Sequence, residues 1–267
     1  MNPFTLHTGP MLLSKGFIAE SIEILQEYWP MFLNGAKDTI VIALIGTIFG
    51  VLIGLLVGVI RTIPVPEYSS KVRKIGMKIV NTLLSVYVEV FRGTPMIVQA
   101  MVIFYGAAFA GWYMDKFYAA LFVVSLNTGA YMAEIVRGGI LSVDQGQFEA
   151  AHSIGMTHPK TMLYIIMPQV LRNILPSIGN EFVINIKDTS VLNVISVTEL
   201  YYQSKSIATQ NFMYFQVFLI TCIIYFIMTF TVTRLLLLLE RWMEGSKTYT
   251  IVGSFSDPKS VFKVNEK

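Results

Sequence analysis

Between Asp38 and Arg61 the chain carries no charged residue, and Ile40 to Ile60 is an apolar run broken by no side chain more polar than Thr47. A helix rises about 1.5 Å per residue, so about 20 such residues cross the ~30 Å hydrocarbon core of a bilayer. The run therefore predicts a transmembrane helix. At membrane depth no water satisfies backbone groups, which forces the rest of any spanning chain into structures that satisfy them internally.

Four further segments fit the same requirement. Phe212 to Thr233, extended by Leu235 to Leu239, is equally free of charge, and Phe117 to Ala133 is a third clean stretch that continues toward Ile140. Ile79 to Ala110 carries Glu89, Arg92 and a Gly93-Thr94-Pro95 breaker, and Leu171 to Ser190 carries Glu181, Lys187 and Asp188. Spans are thus expected at about 39–60, 79–110, 117–141, 171–190 and 212–239.

Composition agrees. At 54% hydrophobic and 14% charged residues the chain is neither a soluble enzyme nor a solvated coil. Its net charge of +3 comes from scattered basic residues and makes no nucleic-acid footprint, so lipid is the expected environment and nucleic acid is not an expected partner. The single cysteine, Cys222, rules out an intrachain disulfide and, set in an apolar stretch, is expected to be a buried inert thiol. His7, His152 and His158 form no metal-ligand pattern, and no metal site is expected. Met1 to Lys37 contains Glu20, Glu23 and Glu27 and lacks the order of a cleaved secretory signal.

Basic residues near span ends set the orientation. Arg61, Lys71, Arg73, Lys74 and Lys78 follow the first span, Lys160 and Arg172 flank the fourth, and Arg241 and Lys247 follow the last. The opposite side holds only Lys15, Lys37, Lys116 and Lys205. The first group is read as cytosolic. Passing from a cytosolic Lys78 to a cytosolic Ser142 takes an even number of crossings, so residues 79–110 cross once, as a long helix that tilts, bends or projects, with Pro95 as the physical cause of a bend.

The sequence therefore predicts an all-α integral membrane protein with five transmembrane helices, N-terminus outside and C-terminus cytosolic. Residues 1–36 form an extracytoplasmic segment with an amphipathic helix at Ile18 to Leu33, residues 37–240 the membrane domain, and residues 241–267 a cytosolic tail, mobile from Ser254 onward.

Charges at membrane depth cost several kcal/mol unless paired or facing water, which makes them candidates for a pathway. Glu89 and Arg92 share a helical face and either pair with each other or face a cavity together with Thr94 and Gln99, where the Gly93-Pro95 break frees backbone groups. Asn127, Tyr131 and Glu134 form one helical stripe, lining a cavity or bonding between helices, with Arg137 as an alternative partner for Glu134. Glu181, Lys187, Asp188 and Thr189 suit a loosened helix end facing a zwitterion, or a static ion pair to another subunit.

The segment of residues 144–170 reads differently. Glu149, Ala150 and Ala151 suit a short helix with a small-residue face, Gly155 a break, and Thr157 with Pro159 the start of a second short helix. A compact helix-turn-helix outside the bilayer is a docking surface. The order Glu-Ala-Ala, three residues, Gly155, nine residues, Ile165, one residue, and Met167-Pro168 resembles the EAA loop of permease subunits of bacterial ATP-binding-cassette importers, with Met167 in place of the usual leucine. Glu89-Val-Phe-Arg92-Gly-Thr-Pro95, Asn127-Thr-Gly-Ala-Tyr-Met-Ala-Glu134 and Lys187-Asp-Thr-Ser190 resemble the polar amino-acid branch of that family.

The resemblance implies a bacterial cytoplasmic-membrane permease of the five-helix importer type that pairs with a second permease, as homodimer or heterodimer, and with cytosolic ATPases. An extracytoplasmic substrate-binding protein would deliver glutamine, glutamate, aspartate, cystine or a basic amino acid. Glu149, Ala150, Ala151, Gly155, Ile165 and Pro168 would couple to the ATPase. No G-x-x-x-x-G-K-[ST] cradle occurs in the sequence, so ATP and magnesium are expected on the ATPase, with no cofactor and no catalysis here. The alternative is an ion-coupled secondary carrier or channel using Glu89 and Glu134; a membrane enzyme lacks a nucleophile or cofactor constellation.

Overall fold

The computed structural model describes residues 15–244, 249–252 and 261–264. Helix α1 runs without interruption from Lys15 to Arg61 through Pro30. The amphipathic stretch expected to stand apart and the first span are thus one rod, about 70 Å long at 1.5 Å per residue. Among the described residues three single helices are long and apolar enough to cross a membrane: the apolar part of α1, α4 (Lys116–Leu141) and α9 (Tyr214–Glu244). Helix α7 (Met167–Asp188) is about 33 Å long, sufficient to cross, but Arg172, Glu181, Lys187 and Asp188 leave it less apolar.

The stretch expected as one long second span is two helices. α2 (Lys71–Gly93) begins ahead of the expected Ile79, and α3 (Met96–Phe109) leaves it at 115°. Thr94 and Pro95 both take extended backbone, as the residue before a proline prefers, and that ends the first helix. α3 packs, through Met96, Ile103 and Phe104, on the Val123 and Leu192 cluster, and α2 and α3 are long and apolar enough to cross a membrane only when taken together as one broken pair.

Between α4 and α7 lie α5 (Gln145–Ser153), α6 (His158–Thr161) and a π-helical turn, Met162–Ile166, that runs directly into α7. Pro168 cannot donate the ordinary i→i−4 bond, and the preceding Met167 N–H reaches back to Met162 O instead. Past α7 a 3₁₀ helix (Thr189–Ile195) leads to α8 (Leu200–Asn211), an element the sequence reading left unassigned. Phe212, expected to open the last span, is the left-handed cap of α8 (φ 60°), and α9 starts at Tyr214. Every element within the described residues 15–244 is a helix; within the expected tail, strands β1 (Tyr249–Val252) and β2 (Val261–Val264) pair antiparallel, and residues 1–14, 245–248, 253–260 and 265–267 lie outside the described residues. Cys222 is exposed on α9 rather than buried, because it sits on the side of that helix turned away from the bundle.

Helix α4 is the hub: Val123, Val124, Ala130, Met132, Ala133 and Val136 are fully buried. Glycines at every fourth position of α1 press onto it. A β-carbon on Gly46 would lie 2.4 Å from Val124, on Gly50 2.6 Å from Thr128, on Gly54 2.3 Å from Met132, and on Gly58 2.7 Å from Val136. Helices in lipid gain no hydrophobic driving force from meeting, so van der Waals contact at close range and interhelical hydrogen bonds hold them. Here the second contribution is a buried polar knot: Asn185 of α7 donates to Thr47 of α1 (2.8 Å) and to Thr128 of α4 (2.9 Å).

Gly54→Ala and Gly50→Ala are expected to destabilise the bundle by about 1–3 kcal/mol each, as overpacking does. Gly76→Ala, which meets open space, should be neutral. The check is the thermal midpoint in detergent by size-exclusion detection; equal midpoints for all three would show that the helices can separate without loss.

Candidate functional site and coupling surface

The break between α2 and α3 would leave backbone carbonyls without partners at its corner. Gln99, buried in the first turn of α3, supplies them: its Nε2 donates to Phe91 O, Thr94 O and Thr94 Oγ1, each at 2.9 Å. Asn127 of α4 then donates to Gln99 Oε1 at 2.9 Å and to Phe91 O at 3.4 Å. Thr94 Oγ1 donates to Val90 O at 2.7 Å. Three of the expected pathway residues, Thr94, Gln99 and Asn127, are therefore gathered in one network, where they hold the corner.

Arg92 and Glu89, both exposed, do not form an ion pair with each other. The Arg92 guanidinium carbon lies 5.5 Å above the ring of Tyr131 instead, a cation–π geometry. The stripe of Asn127, Tyr131 and Glu134 thus meets a different element at each step, Asn127 the α2–α3 corner, Tyr131 Arg92 of α2, and Glu134 the end of α1. Glu134 accepts from Arg61 Nη1, at the end of α1, and from Arg137 at 3.1 and 3.2 Å, while Arg61 also reaches Ser85 Oγ at 3.3 Å. Arg137 was weighed as a partner from sequence; Arg61 and Ser85 were not.

The α7 residues sit apart from these groups. Glu181 is half-buried, and Lys187 and Asp188 are exposed without an ion pair among the described residues. Thr189 is fully buried and donates to Ile186 O at 3.0 Å, so the helix end tightens into a 3₁₀ turn rather than loosening. The Thr47–Asn185–Thr128 knot also escaped the sequence reading. So did Glu199, which is fully buried, accepts from the Tyr201 and Tyr202 N–H groups at 2.8 and 2.7 Å and from Tyr225 Oη at 3.1 Å, and thereby pins α8 to α9.

Residues 144–170 fold as a helix, a left-handed turn and a second short helix. Asp144 caps α5 by accepting from Gly146 N–H at 2.6 Å. Its other end closes with Gly155 at φ +80°, Gly155 N–H to His152 O at 2.9 Å and Met156 N–H to Ala151 O at 3.0 Å, the paired bonds that end a helix on a left-handed glycine. Ala151 is buried, whereas Glu149 and Ala150 are exposed. Ile165 lies in the π-helical turn and Pro168 is exposed in the first turn of α7. A cavity of about 320 Å³ under α5 is lined by Phe148, Glu149, His152, His158 and Met162. Burial, with His152 beside it, holds the His158 imidazole below its usual range.

Residues 75–245 match the family described as the binding-protein-dependent transport system inner membrane component. This chain belongs to that family. The permease is 38% identical to the glutamine transport system permease protein GlnP of Escherichia coli K12 over 80% of its own length and 94% of the relative's. It is 36% identical to the L-cystine transport system permease protein TcyB of Bacillus subtilis 168, over 83% and 90%. A crystal structure of an amino acid ABC transporter with histidines superposes with a TM-score of 0.73 at 36% identity, covering 86% of the permease and all of that chain. The permease is accordingly a multi-pass inner-membrane translocation subunit of the amino-acid ABC importer class, not itself a catalyst.

Replacing the shared carboxylate should expose what it holds. Glu134→Gln leaves Arg61 and Arg137 side by side without a counter-charge; with Glu134 at 22% and Arg61 at 16% exposure, solvent screens part of the loss, and about 1–3 kcal/mol is expected. Arg137, 39% exposed, should cost about 1 kcal/mol or less as Arg137→Gln. Thermal midpoints of the two variants measure the difference, and a larger loss for Arg137→Gln would refute the assignment of Arg61 as the main partner.

Proposed function

We propose that this permease forms, with a second copy or a homologous partner, the pathway of an importer for a polar amino acid such as glutamine or cystine. An external binding protein delivers the substrate, and cytosolic ATPases, which bind ATP and magnesium, dock on residues 144–170. In this reading the chain crosses five times with its N-terminus outside, α2 making the second crossing and α7 the fourth, in a bacterial cytoplasmic membrane.

The observation that carries the reading is the α2–α3 corner. Gln99 and Asn127 satisfy the backbone at the 115° break, but the exposed Glu89 and Arg92 beside it, with Tyr131 alongside, are costly in a hydrophobic chain unless water or a polar solute faces them. Both charge signs there match a zwitterion. Lys187 and Asp188 on α7 offer the same pair of charges and belong to the same proposed path. An ion-coupled carrier would use Glu89 and Glu134; Arg61 and Arg137 already hold Glu134, whereas Glu89 is exposed, so the ATP-dependence of uptake decides between the two.

Uptake of radiolabelled amino acid into proteoliposomes holding the permease, its ATPase and its binding protein should require ATP and persist after ionophores collapse ion gradients. Uptake driven by a gradient without ATP would replace this reading with the carrier. In the same vesicles Gly155→Val, which forces a β-branched residue to φ +80°, and Ala151→Arg, which drives a charge into a buried site, should lose ATPase co-purification or uncouple hydrolysis from uptake. Normal coupling in both would remove residues 144–170 from the ATPase interface.

Orientation has its own test. In a Cys222→Ser background, Lys74→Cys and Lys160→Cys should be shielded from an impermeant thiol reagent in intact cells, and Lys205→Cys should label. Labelling at position 160 would invert the topology.

A further inference from the structure

A second cavity lies beside residues 144–170, away from the α2–α3 corner and adjoining the cavity under α5, with which it shares Pro64, His158 and Met162. It measures about 560 Å³ and opens between the α1–α2 connection and the π-helical turn. Ile63, Pro64 and Pro66 form one wall, and Met162, Leu163 and Met167 the other. Its only ionisable lining groups are Arg73, on the first turn of α2, and His158. Prolines at 64, 66 and 159 fix the backbone around it, so the cleft is a standing feature of the fold.

The cleft begins at Val59 and Ile63, where the apolar run of α1 ends, and so sits at the level where chain leaves hydrocarbon for headgroups. Its mouth is basic. Lys71, Arg73 and Lys78 are exposed and make no ion pair among the described residues, while Lys74 is folded back to donate to Glu67 O. An apolar slot with an unpaired guanidinium at its rim, at the bilayer surface, has the chemistry of an amphiphile with a negative head. We infer that this cleft binds an anionic phospholipid, its phosphate on Arg73 and the upper part of an acyl chain between Ile63 and Leu163. Its volume accepts the glycerol region and the start of one chain, with the remainder in the bilayer. The inference rests on the proposed orientation only for the leaflet, which would be the cytosolic one. Because His158, Pro159 and Met162 line the slot, the bound lipid lies against the segment proposed to receive the ATPase.

The test uses the whole permease–ATPase complex in nanodiscs of phosphatidylcholine with increasing phosphatidylglycerol, followed by native mass spectrometry of retained lipid. The wild-type complex should retain phosphatidylglycerol. Arg73→Gln should raise the phosphatidylglycerol fraction for half-occupancy about fivefold, equivalent to about 1 kcal/mol per basic residue at an anionic surface. Arg73→Lys should restore most of the binding, and Lys71→Gln, outside the slot, should shift it less. Equal shifts for Arg73→Gln and Lys71→Gln would show diffuse surface charge instead of a site and overturn the inference, as would no retained lipid in the wild type. Loss of the ATPase from Arg73→Gln in both lipid compositions would assign Arg73 to a protein contact and overturn it as well. None of these outcomes depends on which way the chain faces, so a failed topology test and a failed lipid site are distinguishable.

Discussion

The close approach of α1 to α4 is the constraint on which the rest of the permease depends. Without side chains at Gly46, Gly50, Gly54 and Gly58 the two backbones draw near enough for the side chains of α4 to fill the groove of α1. That approach places Thr47 and Thr128 within reach of one amide, Asn185, so that a third helix is tied to the pair by hydrogen bonds that have no competing solvent at that depth. It also fixes where α1 ends. Arg61, one helical turn beyond Gly58, arrives beside Glu134, and a carboxylate that would otherwise stand uncompensated is held by two guanidinium groups. Gly129 continues the logic from the other side: its bare α-carbon leaves room for Ile53 and the Tyr87 hydroxyl, which donates to Leu126 O at 2.7 Å and brings in α2.

The α2–α3 corner shows how irregular backbone survives in such a setting. Helix breaks at membrane depth are tolerated where the freed groups find internal partners or water. Gln99 and Asn127 provide the internal partners, which divides the polar residues of this region by task. The two amides face inward and hold the corner. Glu89, Arg92 and Thr94 stay exposed, with Tyr131 beneath the guanidinium. A change at Asn127 therefore acts on the shape of the corner first, and on any solute next to it only through that shape.

Much of this was legible in the sequence, and the misses have physical causes. Uncharged runs located α1, α4 and α9, because burial in lipid leaves a compositional mark. The EAA segment was readable down to its Gly155 turn, since a left-handed helix end and a proline-started helix are local events. The sharpness of the corner was not, because Gly-Thr-Pro predicts a bend but its 115° angle is set by the distant surface of Val123 and Leu192 on which α3 packs. α8 was missed because it is short, polar and stabilised by a buried Glu199 whose partner Tyr225 is on another helix. The glycine ladder was there to be read at its four-residue spacing, and the pairing of Arg61 with Glu134 was not, since no local signal links residues so far apart.

Residues 144–170 are joined to the bundle in a way that bears on the docking role proposed for them. α5 rests on the bundle through Phe148, against the cluster of Val143, Met162 and Ile166, and its Ala151 is buried, so it cannot slide without disturbing buried apolar contacts. α6 is not a separate lever: through the π-helical turn it is the first part of α7, and helices transmit displacement along their axis far better than loops. The regular bonding on that line is interrupted twice, by the π turn beside Pro168 and by Pro176 inside α7. α7 then carries Asn185, which is bonded to both α1 and α4, and directly after it the exposed Lys187 and Asp188. If residues 144–170 receive the ATPase as proposed, α6, the π turn and α7 form the continuous helical connection, with Pro176 inside it, from that segment to the buried knot and to Lys187 and Asp188. The Gly155 turn, bare of contacts, lets the two short helices keep their angle without strain in the linker.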